Sequence, residues 1–169
     1  MINQLISEIK KARLYDVVKK TSIDSLSVIS ERLDNKIYLK REDLQSVHSF
    51  KIRGALNKIM QLSDDEKKRG IITSSAGNHA QGVALSAQKC NISATIVMPI
   101  TTPQIKVDSV KRFGATVILY GDSYDESYFY AIEKSKQNKS VFVHAFDDLL
   151  VIAGQGTIGI EILDQLENL

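Results

Sequence analysis

Cysteine is almost absent from this sequence of 169 residues, which contains only Cys90. One cysteine cannot form an intrachain disulfide, and a lone thiol fits a reducing compartment, so the expected location is the cytoplasm. The three histidines lie too far from Cys90 in the sequence to suggest a metal-binding knuckle. No metal is therefore expected as a cofactor.

An excess of charge of one sign is also missing. The 22 basic and 20 acidic residues are interspersed and give a net charge of +2, without the basic block that marks nucleic-acid-binding proteins. The longest apolar runs, at 92–100 and 115–120, are far too short to cross a bilayer. The first 20 residues carry Glu8 and Asp16 among their lysines and lack the apolar core of a signal peptide. We expect neither a nucleic acid nor a membrane as a partner.

One pattern repeats through the middle of the chain. A segment ending in basic residues is followed by Gly or Asn and then by an apolar, β-branched run, as expected where a helix ends and a buried strand begins. The four runs are Ile71–Thr73, Ile92–Met98, Ala115–Tyr120 and Ser140–Val143, and they begin between 21 and 25 residues apart. That spacing leaves room for one helix between strands. The pattern predicts an α/β fold with a parallel sheet and flanking helices.

Local signals place several other boundaries. Thr102 is predicted to cap a helix whose first residue is Pro103, and Ser123 with Glu126 forms a capping box that opens a helix to about Gln137. Residues 36–41 alternate as a short strand. Gly154–Thr157 is predicted to open a last helix at 157–169, a structural role rather than a phosphate loop. The apolar stripe of that helix comprises Ile158, Ile162, Leu163, Leu166 and Leu169.

The segment Ser49–Ala55 contains the first chemically interesting residue. Lys51 lies between the bulky Phe50 and the start of a predicted helix, where desolvation and the positive end of the helix dipole both disfavour an ammonium charge. Such an amine is able to form a Schiff base. On these local features alone, a lysine that simply points to solvent explains the segment as well.

The second segment, Ser74–Gly82, lies between a predicted strand and a helix. Its small residues allow a ligand to approach the backbone, and free N–H groups at a helix N-terminus bind a carboxylate or phosphate. An ordinary capped turn is the alternative. No Walker or dinucleotide-binding pattern is present, and His79 by itself indicates a packed or capping histidine. Tyr124, Tyr128 and Tyr130 are interpreted as helix packing.

Four segments together resemble the threonine/serine dehydratase family of fold-type II pyridoxal-phosphate enzymes. They are Leu39–Asp43, Ser49–Ala55, Ser75–Gly82 and Ile152–Thr157, in the order and at the separations typical of that family. The resemblance implies the tryptophan-synthase-β-like architecture and pyridoxal 5′-phosphate as the cofactor. It covers nearly the whole chain.

The resemblance also implies roles for individual residues. Lys51 would hold the cofactor through a Schiff base and later take the Cα proton, Phe50 would pack against the pyridine ring, and Asn78 would bond its 3′ oxygen. The loop of Ser75, Ala76, Gly77, Asn78 and His79 would bind the substrate carboxylate. The implied reaction converts L-threonine to 2-oxobutanoate and ammonia, a step of isoleucine biosynthesis. Val47 and His48, before Ser49, favour the biosynthetic rather than the catabolic form.

The resemblance predicts an incomplete protein. Residues 51–150 would form the small cofactor and substrate domain, residues 1–50 part of a larger domain, and residues 151–169 the start of its truncated remainder. The family's glycine-rich phosphate loop and the partner of the pyridine nitrogen would lie beyond Leu169. We therefore expect either a homo-oligomer or a missing C-terminal polypeptide as partner, and little activity from this chain alone.

Two departures from the family pattern concern loops. Thr21-Ser22-Ile23 replaces a Thr-Pro-Leu segment, and prolines are missing from the segment 144–149. Other functions stay open: a serine dehydratase, a serine racemase, or a non-catalytic remnant or subunit that needs a partner.

Overall fold

A computed structural model describes residues 2–166 of the chain. The helices are α1 (Ile2–Lys11), α2 (Ser27–Arg32), α3 (Lys51–Met60), α4 (Asp64–Arg69), α5 (Asn78–Lys89), α6 (Gln104–Lys111), α7 (Tyr124–Asn138) and α8 (Leu149–Gln165), with a 3-10 turn at Glu42–Leu44. The strands are β1 (Ile23–Ser25), β2 (Tyr38–Lys40), β3 (Ile71–Ser74), β4 (Ala94–Met98), β5 (Thr116–Leu119) and β6 (Val141–Phe142).

The four repeated apolar runs form one parallel sheet, as predicted. Its strand order is β5-β4-β3-β6, so β3 is central and pairs with β4 on one side and β6 on the other. All four residues of β3 are buried, which explains its unbroken run of apolar and small residues. The chain adds β4 and β5 on one side and then returns to place β6 on the other. The strand order therefore reverses between β3 and β6.

Helices cover both faces of this sheet. Ile71 and Ile96 pack in one core with side chains of α3, α5 and α6, whereas Ile72 and Val97 pack in another with Ala131 of α7. Adjacent residues of a strand point to opposite faces, so the runs are apolar throughout because both faces are covered. This confirms the α/β fold with flanking helices.

Of two predicted helix starts, one is confirmed and the other is wrong by one residue. Ser123 caps α7 in a capping box with Glu126, and the helix ends at Asn138, as expected. The prediction for Thr102 and Pro103 is wrong by one residue. Pro103 is extended at ψ 138° and its carbonyl accepts from Lys106, so it is the capping residue itself, and the helix begins at Gln104.

The last helix begins earlier than predicted. Asp148 caps it by accepting hydrogen bonds from the backbone N–H groups of Leu150 and Val151 at 2.8 and 3.2 Å, so α8 starts at Leu149 rather than at residue 157. The segment Gly154–Thr157 therefore lies inside the helix. The helix ends at Gln165, and the predicted stripe residue Leu169 lies outside the described residues.

The glycines of that segment have a packing role. A Cβ on Gly154 would come within 2.5 Å of the Arg53 carbonyl oxygen and 2.7 Å of Gly54 Cα. One on Gly54 would meet the Val151 carbonyl at 2.6 Å. Two facing glycines thus allow the backbones of α3 and α8 to contact each other. The prediction that this segment opens the helix did not anticipate that contact.

The chain segments on either side of the parallel sheet meet each other. The antiparallel pair β1 and β2 aligns Ile23 with Lys40, so the predicted strand at 36–41 is confirmed over three residues. Helix α1 packs on α8, and Lys40 forms a 2.6 Å ion pair with Glu161. Their assignment to a second domain stays a prediction. Within residues 2–166, no helix is both long and apolar enough for a transmembrane span.

Candidate active site

The carboxyl ends of β3 and β6 meet where the strand order reverses, which is where open α/β sheets bind their ligands. Three hydrogen bonds draw the surrounding segments together there. Thr73 Oγ1 donates to the Val143 carbonyl at 2.7 Å, His79 Nε2 lies 3.2 Å from the same oxygen, and Lys51 Nζ donates to the Ala145 carbonyl at 3.0 Å. We call this region the switch-point site, comprising Lys51, residues 74–79 and residues 143–147.

Lys51 enters the site from the first turn of α3. It is the first residue of the helix, its amine is partly buried, and Nζ lies 5.4 Å from the centroid of the Phe50 ring. Helix α5 crosses close to this turn, because a Cβ on Gly82 would lie 3.1 Å from the backbone of Lys51 and of Ile52. A glycine at position 82 therefore brings the start of α3 against the helix that carries the 75–79 loop.

The 75–79 loop presents backbone donors that the chain does not use. Among the described residues, the N–H groups of Ala76, Asn78 and His79 make no hydrogen bond, whereas Gly77 N donates to Ser75 Oγ at 3.2 Å. Asn78 and His79 are the first two residues of α5, so the positive end of the dipole of this 12-residue helix points at the loop. This arrangement binds an anionic group such as a carboxylate.

Gly77 marks open space in front of that helix end. A Cβ built on it meets nothing within 4 Å, so packing within the described chain does not require glycine. Beside it, the side chain of Asn78 is exposed and makes no hydrogen bond within the described residues. The loop therefore offers both room and donors for a molecule outside the chain.

His79 occupies the site differently from a solvent-facing ligand residue. Its ring is buried, and burial above all lowers the pKa of His79 to about 4, with a smaller contribution from the nearby Lys51 charge and against the effect of the bond to the Val143 carbonyl. The imidazole is thus neutral, and Nδ1 has no partner in the described structure. Its backbone N–H, rather than its ring, is the free donor of this residue.

Two buried polar atoms of the site are unsatisfied within residues 2–166. They are Ser74 Oγ and His79 Nδ1, and a polar atom buried without a partner costs about 1–3 kcal/mol. Such atoms are rare in folded proteins and call for an explanation by a bound group or water. Together with the amine of Lys51 and the free N–H groups, they fit a polar, anionic organic cofactor and substrate.

Phe50 lies at the rim of the site. Its ring is 40% exposed, and the Lys51 amine lies 5.4 Å from the ring centroid. The structure therefore brings Phe50, Lys51 and the 75–79 loop to one end of the sheet. The segment 143–147 is the part that the sequence did not indicate, because its contribution is made by main-chain carbonyls.

A buried ion cluster lies directly behind Lys51, and sequence reasoning missed it. Arg53, two residues along α3, is fully buried and uses all three guanidinium nitrogens as donors. Its bidentate partners are Glu42, at 2.7 and 2.8 Å, and Glu161, at 2.6 and 3.0 Å. It also donates to Thr157 Oγ1 at 3.1 Å and to the Lys19 carbonyl at 3.2 Å.

The acids of this Arg53 cluster are held ionised. Burial by itself would raise the pKa of Glu161, but hydrogen bonds from Arg53, Lys40 and Tyr15 outweigh it and the pKa is lowered. The pKa of Glu42 is lowered in the same way, against burial, by bonds from Arg53 above all. The cluster fixes α3 to α8 and to the 3-10 turn. The one signal in the sequence was the charge of Arg53 within an otherwise apolar helix turn. Its partner Glu161 lies 108 residues away along the chain, so the sequence did not reveal the pair.

Comparison with known proteins agrees with this geometry. Residues 14–169 match the family model described as pyridoxal-phosphate dependent enzyme. Threonine dehydratase 1 of Solanum lycopersicum, a biosynthetic chloroplastic protein, is 51% identical over 165 residues, which make up 98% of this chain and 27% of that protein.

Solved structures give the same picture. The processed form of threonine deaminase isoform 2 from Solanum lycopersicum superposes with a TM-score of 0.95 at 47% identity, over 99% of this chain and 46% of that one. Maize serine racemase superposes at 0.91 and 34% identity, over 95% of this chain and 50% of that one. Eight similar curated proteins carry names of threonine dehydratases or ammonia-lyases, and this chain spans 27 to 41% of their lengths.

Proposed function

This chain belongs to the pyridoxal-phosphate dependent enzyme family, and from that premise we propose that it is the N-terminal part of a threonine ammonia-lyase. The proposed reaction deaminates L-threonine to 2-oxobutanoate and ammonia. The observation that carries the proposal is the placement of the Lys51 amine at the strand-order reversal, next to a helix N-terminus with free donors. The names of the eight similar proteins support threonine as the substrate.

The switch-point site suggests how the cofactor would be held. Lys51 would bind it covalently, the ring of Phe50 would pack against its pyridine ring, and the Asn78 amide would bond its 3′ oxygen. When bound, pyridoxal phosphate supplies the electron sink that stabilises negative charge at the substrate Cα. The roles of these three residues rest on the family resemblance and on their placement at one rim.

The protein side of the reaction concerns orientation and proton transfer. The unused N–H groups of Ala76, Asn78 and His79 would bind the substrate carboxylate, with Ser75 and Gly77 shaping the loop. Once the substrate amine displaces Lys51 from the cofactor, Nζ of Lys51 would take the Cα proton, since it approaches from the neighbouring helix turn. Because His79 is neutral, the positive potential near that carboxylate comes from the helix end.

Catalysis is proposed for the longer protein rather than for these residues alone. The described residues provide one wall of a site, and positioning between two walls contributes roughly 7–11 kcal/mol to barrier reduction in well-oriented reactions. We therefore expect negligible turnover by the isolated chain. Isoleucine biosynthesis as the context is supported only by the names of relatives.

A product assay separates the candidate functions. The chain is incubated with pyridoxal phosphate and either L-threonine or L-serine, with and without a polypeptide that supplies the rest of the enzyme. Formation of 2-oxobutanoate only in the complemented sample supports the proposal. Accumulation of D-serine without a keto acid would instead indicate a racemase, the candidate that the 34% identical maize structure favours.

Assembly and location are proposed on separate grounds. Leu163 is 66% exposed on α8, and Ile152 and Ile160 are also exposed there, so an apolar surface of this helix is available for association. Light scattering is expected to give a mass above 18.8 kDa. A cytoplasmic location is supported by the single free thiol of Cys90, whereas the similar proteins of Solanum lycopersicum and Arabidopsis thaliana are named as chloroplastic.

A further inference from the structure

The Lys51 amine is held by a carbonyl whose own position needs explaining. Nζ donates to Ala145 O at 3.0 Å, and Ala145 lies in the short connection between β6 and α8. That connection has no proline to restrain it and no regular secondary structure. Something else must fix the direction of this carbonyl.

His144 supplies the restraint. Its Nδ1 accepts hydrogen bonds from the backbone N–H of Phe146 at 3.2 Å and of Asp147 at 2.7 Å. A ring nitrogen that accepts two such bonds carries no proton, so the ring proton is on Nε2. These bonds close a turn over residues 144–147, and the Ala145 peptide lies inside that turn.

The same pattern recurs four residues later with a different side chain. Asp148 Oδ1 accepts from the N–H groups of the residues two and three positions ahead, Leu150 and Val151. His144 therefore acts as a cap of the kind that Asx side chains form. An asparagine at position 144 would retain this function, because its amide oxygen reaches the same two donors.

The imidazole ring is also packed, which provides a rival explanation. Its centroid lies 4.6 Å from that of Phe146, 6.0 Å from Tyr128 and 6.2 Å from Phe142. A phenylalanine at position 144 would keep these aromatic contacts but would accept nothing. The acceptor and the packing roles are thus separable by substitution.

We propose that His144 is a positioning residue for the Lys51 amine, acting through the Ala145 carbonyl. The significance of this role rests on the proposed function, in which Lys51 binds the cofactor. The restraint itself exists without cofactor, so it is measurable on the chain alone. Failure of cofactor attachment at Lys51 would refute the proposed function and leave this inference untouched.

Two readouts on the unliganded chain test the role. Amide hydrogen exchange followed by NMR reports the bonds to Phe146 and Asp147. Limited labelling with a lysine-directed reagent, mapped by peptide mass, reports the accessibility of the Lys51 amine relative to that of the exposed Lys89. In His144→Phe, both amides should exchange about fivefold faster or more, as for a lost hydrogen bond. The Lys51 to Lys89 labelling ratio should rise about threefold or more, because the released amine is more accessible.

The controls decide between the two roles. His144→Asn and Phe146→Ala are each expected to leave the labelling ratio of the wild type unchanged, the first because it keeps the acceptor and the second because the ring contact is not the restraint. An unchanged ratio in His144→Phe would overturn the proposal. So would a ratio in His144→Asn or Phe146→Ala that rises as far as in His144→Phe. If His144→Phe does not fold, His144→Leu, which also lacks the acceptor, takes its place in the comparison with the same expected rise in the ratio.

Discussion

The Arg53 cluster and the switch-point site each include one residue of α3, Arg53 and Lys51 respectively. The two regions differ in whether their polar atoms have hydrogen-bond partners. In the Arg53 cluster, all three guanidinium nitrogens have acceptors and both carboxylates are bidentate. In the switch-point site, backbone donors, Ser74 Oγ and His79 Nδ1 have no partner within the described residues. A satisfied buried network stabilises the fold, whereas polar atoms and backbone donors that lie unpaired beside open space are able to bind another molecule. The following predictions test that distinction.

The largest effect is expected from breaking the Arg53 cluster. Glu161→Gln removes the charge that Arg53 and Lys40 share and leaves buried positive charge uncompensated, which costs about 3–5 kcal/mol of unfolding free energy. Denaturant unfolding followed by circular dichroism measures it. The matched control is Glu133→Gln on the exposed surface of α7, with an expected change below about 0.5 kcal/mol. A loss below about 1 kcal/mol in Glu161→Gln would show that the cluster is not structural.

A smaller effect is expected from titration of His79. Its pKa falls from 6.5 to about 4 on folding. Between these pH values the unfolded chain takes a proton that the folded chain refuses, so stability falls as the pH drops from 6.5 to 4, by on the order of 3 kcal/mol. Unfolding free energies of the wild type and of His79→Gln, measured across this range, should diverge. The carboxylates of the Arg53 cluster also lose stabilisation below pH 4.5, but they do so in both proteins.

If the unfolding free energy changes equally with pH in the wild type and in His79→Gln, His79 is solvated in the folded chain. The site would then lose one of its two buried unsatisfied groups, and the contrast with the Arg53 cluster would weaken.

The helix contact that supports both regions gives the next effect. Gly154→Ala drives a methyl group into the α3 backbone and should destabilise the chain by about 1–3 kcal/mol. Gly159→Ala, in the same helix, meets nothing within 4 Å and should stabilise it by up to about 1 kcal/mol through helix propensity. Thermal unfolding of the pair measures both signs. A similar shift in both variants would exclude the close approach of α3 and α8.

The smallest effect on stability is expected at Gly77. Gly77→Ala has room, so the unfolding free energy should change by less than about 0.5 kcal/mol. Attachment of pyridoxal phosphate should nevertheless weaken about tenfold, since the methyl group fills space in front of the helix end, equivalent to about 1.4 kcal/mol. The unfolding free energy and the attachment of pyridoxal phosphate are both measured, with Gly159→Ala as the control. Unchanged attachment would mean that the ligand does not approach Gly77.

The sequence anticipated the parts of the molecule that depend on local pattern. The four apolar runs predicted a parallel sheet, and the Ser123 capping box placed the start of α7, because both depend on neighbouring residues. The places of Lys51 and of the 75–79 loop in the fold were also anticipated, since Lys51 opens a helix and the loop joins a strand to a helix.

What sequence reasoning missed depends on distant residues or on the main chain. Glu161 could not be predicted as a partner of Arg53 because only the fold brings them together. The start of its helix was predicted too late because the Gly154 segment was interpreted as the helix entry. The role of Ala145 lies in a carbonyl that every residue possesses. The residue type at position 145 therefore does not indicate this contribution.

The central claim is that Lys51 is the lysine that binds pyridoxal phosphate. The direct test treats the folded chain with a limiting amount of the cofactor, reduces the adduct with borohydride and maps the modified peptides by mass spectrometry. Lys51 is expected to carry most of the label, and Lys51→Arg is expected to abolish that fraction without shifting it to a single other lysine. Label distributed over the surface lysines with Lys51 unmodified would contradict the account.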